Sequence, residues 1–95
     1  MRRFSYQKRT FLNPVLTSTT SYILAEVESS RDGEHKWGGN FVVLADCDRR
    51  VEFEFSLGNR NQRRRSLAKI NLLIKVLIAF RDALAKEISL IEKAK

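Results

Sequence analysis

Arg60, Arg63, Arg64 and Arg65 crowd one six-residue stretch of the chain. Guanidinium groups are forked donors that match phosphate oxygens. Placed where a helix starts, they oppose its dipole unless an anion is expected there. A second basic cluster opens the sequence: Arg2, Arg3, Lys8 and Arg9 stand within the first nine residues with no acid among them. In an extended strand, Arg3, Ser5, Gln7 and Arg9 share one face, and cations at alternating positions can track successive phosphates. Trp37 follows Lys36 and precedes Gly38 and Gly39, an aromatic beside a cation in a glycine-flanked loop, which suits base stacking. Arg49 adds a cation at a turn, and Tyr6, Phe11 and Tyr22 are secondary stacking candidates. The nucleic-acid-binding set expected from these patterns is Arg3, Lys8, Arg9, Lys36, Trp37, Arg49, Arg60, Arg63, Arg64 and Arg65.

Each cluster also has a structural reading. The arginines before the helix suit a solvated linker, the charged first strand suits an edge guarded against aggregation, and Trp37 suits a plug at the end of a core.

Residues for catalysis are scarce. Cys47 lies between Asp46 and Asp48, negative neighbours that work against a nucleophilic thiolate. His35, the single histidine, sits between Glu34 and Lys36 and reads as a solvated loop residue. Asp46, Asp48, Glu52 and Glu54 stand near Arg and Lys and read as cross-strand charges rather than metal ligands. The glycines do not form a phosphate loop. The expectation is a protein that is not an enzyme, with no cofactor, no metal and no small-molecule substrate.

The balance of charge agrees. The chain has 95 residues, 18 Lys+Arg against 11 Asp+Glu, a net charge of +7, and 43% hydrophobic residues. That apolar content is too high for a disordered tail, and the excess of cations suits a polyanionic partner. Residues 1–14 hold four bases and no acid, residues 15–59 four bases against eight acids, and residues 60–95 ten bases against three acids. One cysteine excludes an internal disulfide and fits a reducing, intracellular compartment, cytoplasmic or associated with the nucleoid. The stretch Ile70–Phe80 is interrupted by Asn71 and Lys75, so no membrane span is expected. The opening residues lack the apolar run of a signal peptide.

The elements that must position these groups follow from periodicity. Alternation predicts strands over 3–12, 21–29, 40–45 and 50–57. Asn13-Pro14, Ser30-Arg31-Asp32-Gly33, Asp46-Cys47-Asp48 and Gly58-Asn59 punctuate them. The last strand is the cleanest, with Val51, Phe53, Phe55 and Leu57 inward and Arg50, Glu52, Glu54 and Ser56 outward. The second puts Ile23, Ala25 and Val27 opposite Tyr22, Leu24, Glu26 and Glu28. The outward glutamates repel phosphate, so a nucleic-acid path is expected to follow the first strand, the hairpin loops and the arginine junction. A helix is expected over 66–93 with Ser66 as its N-cap, Asn61 being an earlier alternative. The expected organisation is one domain over 1–95: sheet 3–57, basic junction 58–65, helix 66–93.

Two apolar stripes run along that helix. One holds Leu67, Ile70, Ile74, Leu77, Leu84, Ile88 and Ile91, broken by Arg81. The other holds Leu73, Val76, Phe80, Ala83 and Leu90, broken by Glu87. An ordinary surface helix needs one stripe of about 100°. This helix is also longer than a four-stranded sheet is wide, so a second copy of the chain is the simplest cover. A homodimer through Leu73, Leu77, Phe80, Leu84 and Ile88 is expected, the alternatives being a kinked monomer and a docking module for another protein. An anionic membrane ranks last as a partner, because the helix's polar line is only mildly basic.

The strand Val51–Leu57, its exit Gly58-Asn59 and the amphipathic helix from Ser66 complete an architecture of four antiparallel strands followed by one long C-terminal helix. In that α+β architecture the chain resembles the single-stranded-DNA-binding transcriptional coactivators of the positive cofactor four and Whirly families. The likeness covers roughly residues 3–93, as topology and not as a signature motif. It implies dimerisation through the helices and binding of unpaired DNA across curved sheets and loops. The helix here is longer and doubly apolar, and the Arg60–Arg65 cluster is a further departure. The expected function is binding of single-stranded nucleic acid, DNA in preference to RNA, as an accessory to transcription, replication or recombination.

Overall fold

The computed structural model describes residues 4–13, 21–28 and 39–94. The chain divides into two compact units, residues 1–63 and 64–95.

The first unit is built on a four-stranded antiparallel sheet with spatial order β1-β2-β3-β4, which is also chain order. The strands are β1 Phe4–Phe11, β2 Ser21–Glu28, β3 Phe41–Asp46 and β4 Arg49–Glu54. Alternation places them within one or two residues of expectation except at the end of β4. There Phe55 and Leu57 lie beyond the strand, although the Phe55 amide still donates to the Asn40 carbonyl at 2.9 Å. The pairing register sorts the side chains, because directly opposed residues share a face. One face carries Ile23, Ala25, Val42, Leu44, Val51 and Phe53 with Lys8, Thr10, Asp46 and Arg49. The other carries Gln7, Arg9, Phe11, Tyr22, Leu24, Glu26, Phe41, Val43, Ala45, Arg50, Glu52 and Glu54. Val43, on central β3, is wholly buried at 0% exposure. Val51, expected inward, is 49% exposed on the edge strand β4, whereas Phe53 on the same face is half-buried.

Local chemistry fixes the strand ends. At one end the Asn13 side chain accepts the Ser21 amide, the Leu12 amide donates to the Ser21 carbonyl, and the Ser21 hydroxyl donates to Asp46. Asp46 opposes Arg49 across a two-residue turn, Cys47-Asp48. Cys47 adopts φ 56°, a left-handed conformation that side chains with a Cβ resist. At the other end the Glu28 amide donates to Asn40 Oδ1 at 3.0 Å, and both residues are buried. Gly39 makes that approach possible: its φ is +79°, and a Cβ there would collide with the Glu28 carboxylate.

The helix α1 runs Arg60–Lys93, 34 residues, about 51 Å at ~1.5 Å per residue. It starts six residues before Ser66. Asn59 is the cap: its Oδ1 accepts the Gln62 amide at 2.9 Å and its carbonyl accepts the Arg63 amide at 3.0 Å. Asparagine satisfies the orphan amides of a first turn as well as serine does, and it comes first in the chain. No helix residue is buried. Gln62, Ser66, Ile70 and Leu73 are half-shielded, and every described residue from Ile74 onward is exposed. Among the described residues no helix is long and apolar enough to cross a membrane.

Candidate nucleic-acid interface

Three side chains meet at the turn end of the mixed sheet face. Arg9 and Phe11 leave β1 on the same side, two residues apart, and Tyr22 opposes Phe11 from β2. The Arg9 guanidinium carbon lies 5.0 Å from the centre of the Tyr22 ring. Phe11 and Tyr22 meet edge to face, with centroids 6.1 Å apart and planes at 67°. Cation–π attraction and aromatic edge contact hold the trio. Tyr22 is half-buried and serves as the base, while Arg9 and Phe11 stand out, Phe11 with 62% of its surface open. The result is a guanidinium plane and an open ring side by side.

The same row continues across the sheet. Tyr22 opposes Ala45, and Ala45 opposes Arg50, which is exposed. The next row is Arg9, Leu24, Val43 and Glu52, and the one beyond is Gln7, Glu26, Phe41 and Glu54. Gln7 Nε2 donates to Glu26 Oε1 at 2.9 Å. On this face Arg50, Phe11 and Tyr22 thus stand in the row at the turn end and Glu26 and Glu54 in the far row, while Arg9 and Glu52 share the row between them.

Lys8 and Arg49 point to the opposite, apolar face, so they do not join Arg9. Arg3, Lys36 and Trp37 lie outside the described residues. Arg60, Arg63, Arg64 and Arg65 stand within the first turns of α1, all exposed, in place of the expected pre-helix junction. The first turn holds no acid. One of the four has a structural bond: Arg63 Nη1 donates to the Leu57 carbonyl at 3.2 Å. Of the expected dimer residues, Leu73 is half-buried, while Leu77, Phe80, Leu84 and Ile88 are exposed, Phe80 at 63%.

Arg50 is absent from the set expected from sequence, and Phe11 and Tyr22 stood there only as secondary candidates. Their alignment in one row follows from the register across four strands, to which the Asn13–Ser21 contact contributes between β1 and β2 and the tight turn at Cys47-Asp48 between β3 and β4. The alternating Arg50, Glu52 and Glu54 gave the side of the sheet but not the neighbour.

Among the described residues no three His, Cys, Asp or Glu side chains gather as a metal site. Neither family models, curated proteins nor solved structures yield a match to this chain.

Proposed function

We propose that this chain is a non-enzymatic protein that binds single-stranded nucleic acid, DNA in preference to RNA, as a homodimer paired through α1. It acts in an intracellular compartment as an accessory to transcription, replication or recombination. The observation that carries this reading is the Arg9–Tyr22–Phe11 cluster. An open ring and a guanidinium plane accept unstacked bases of any sequence, which a duplex keeps inside its own stack. The arginines that begin α1 supply phosphate contacts. The order of four antiparallel strands and one long helix resembles that of single-stranded-DNA-binding coactivators, which is analogy only.

The test is titration of single-stranded DNA, single-stranded RNA and duplex DNA of matched length at two salt concentrations. Single strands should bind more tightly, with an affinity that falls steeply as salt rises. Equal or tighter binding to duplex sinks the proposal.

A second reading draws on the exposed apolar side chains of α1 from Ile74 to Ile91, which also suit a protein-docking module. Sedimentation separates the two: a stable dimer of the isolated chain supports self-pairing, and a monomer or aggregate supports docking.

A further inference from the structure

We infer that a bound single strand crosses the sheet along the row Phe11, Tyr22, Ala45, Arg50, transverse to the β-strands, and does not run along β1 and β2. The inference rests on the nucleic-acid reading above and adds the path and two contact residues, Phe11 and Arg50. The register supplies the path. These four residues stand directly opposite one another on successive strands and share one face. They span three inter-strand spacings, about 14 Å at ~4.8 Å each. Phe11 lies at one end of the row, with Arg9 beside it in the next row, and Arg50 lies at the other; between Tyr22 and Arg50 stands the small side chain of Ala45, itself buried at 8% exposure. A base stacks on Phe11 or on the Arg9 guanidinium, and Arg50 takes a phosphate further along the same strand.

The lengthwise alternative fails on charge. A polyanion following β1 and β2 from Phe11 towards Phe4 passes the Gln7–Glu26 pair four residues on, two beyond Arg9. That carboxylate lies on the same face as Arg9, in the row that also contains Glu54. The transverse row carries no acid at all.

Tyr22 is a positioning residue in this arrangement. Arg9 lies over its ring and Phe11 meets it edge to face, so it orients both. Its phenol oxygen is not required for that role, whereas its ring is.

The experiment is fluorescence anisotropy of the full chain with labelled oligothymidylates of graded length, and an oligouridylate arm to compare sugars. Arg50→Gln and Arg9→Gln should weaken binding by similar factors, and each should lower the salt slope by about 0.7. Phe11→Ala should weaken binding roughly five- to one-hundred-fold with an unchanged slope, because stacking releases no counterions. Tyr22→Phe should bind as the parent does, whereas Tyr22→Leu should lose affinity. Circular dichroism should report the same fold for the Arg9, Phe11 and Arg50 variants, whose side chains are all exposed. Binding unaffected by Arg50→Gln but weakened by Arg9→Gln overturns the transverse path. Weakening by Tyr22→Phe as severe as by Tyr22→Leu overturns the positioning role. A parent chain that binds no single strand of either sugar instead defeats the nucleic-acid reading itself, an outcome distinct from both.

Discussion

The sheet and the far half of the helix hold their shape by different means. In the sheet each inner strand is paired on both sides, Val43 is fully enclosed, and polar contacts at Asn13, Ser21 and Asn40 close the ends. From Ile74 the helix has none of this. Leu77, Leu84 and Ile88 are each about half exposed, and the neighbours Arg81 and Asp82 pair at the surface. An exposed ion pair of that kind contributes at most about 1 kcal/mol. Backbone propensity alone stabilises isolated helices only marginally. One region is held by contacts among its own strands, and the other carries an apolar surface that is exposed among the described residues.

The largest expected effect breaks the helix side of this contrast. Leu77→Asp together with Leu84→Asp should abolish the proposed dimer, which sedimentation at micromolar concentration would read as a monomer. The parent should melt at a temperature that rises with protein concentration, and the variant should lose that dependence. A parent chain that is monomeric and melts independently of concentration removes the proposed self-pairing.

The next effect belongs to the sheet. Val43→Ala removes two methyl groups' worth of enclosed surface and leaves a void, so it should cost roughly 2 kcal/mol. Chemical denaturation should show that loss with the dimer intact. A loss below a few tenths of a kcal/mol would mean that Val43 is not packed as described.

The smallest effect sits where the two regions join in sequence. Asn59→Ala should cost about 1 kcal/mol and fray the first turn of α1. Ser66→Ala, now an interior position, should cost far less. Amide exchange at Gln62 and Arg63 would register the difference, and equal effects would return the helix start to Ser66.

Much of this architecture is legible in the residues. Period-two alternation locates all four strands, and the parity of Tyr22, Leu24 and Glu26 against Ile23 and Ala25 sorts them onto two faces, but the face read as outward from Glu26, Glu52 and Glu54 is the one that holds the buried Val43 and Ala45. The doubly apolar pattern from Leu67 to Ile91 marks the long helix. The helix start is less legible because Asn59, Asn61 and Ser66 all carry capping chemistry, and a single Asn59 amide contact decides between them. The site is least legible. Alternation tells which side of a strand Arg9, Tyr22 or Arg50 takes, but not which residue stands opposite. That depends on turn lengths, and a one-residue slip would send Arg9 to the face that Lys8 holds.

The turn that fixes this register has a practical consequence. Cys47 is the single thiol of the chain, exposed, two residues from Arg49 and three from Arg50. A maleimide dye attached there would stand at the rim of the proposed nucleic-acid row without entering the sheet. Its emission would report occupancy at the Arg50 end, and energy transfer to a fluorophore on the oligonucleotide would give the polarity of the bound strand.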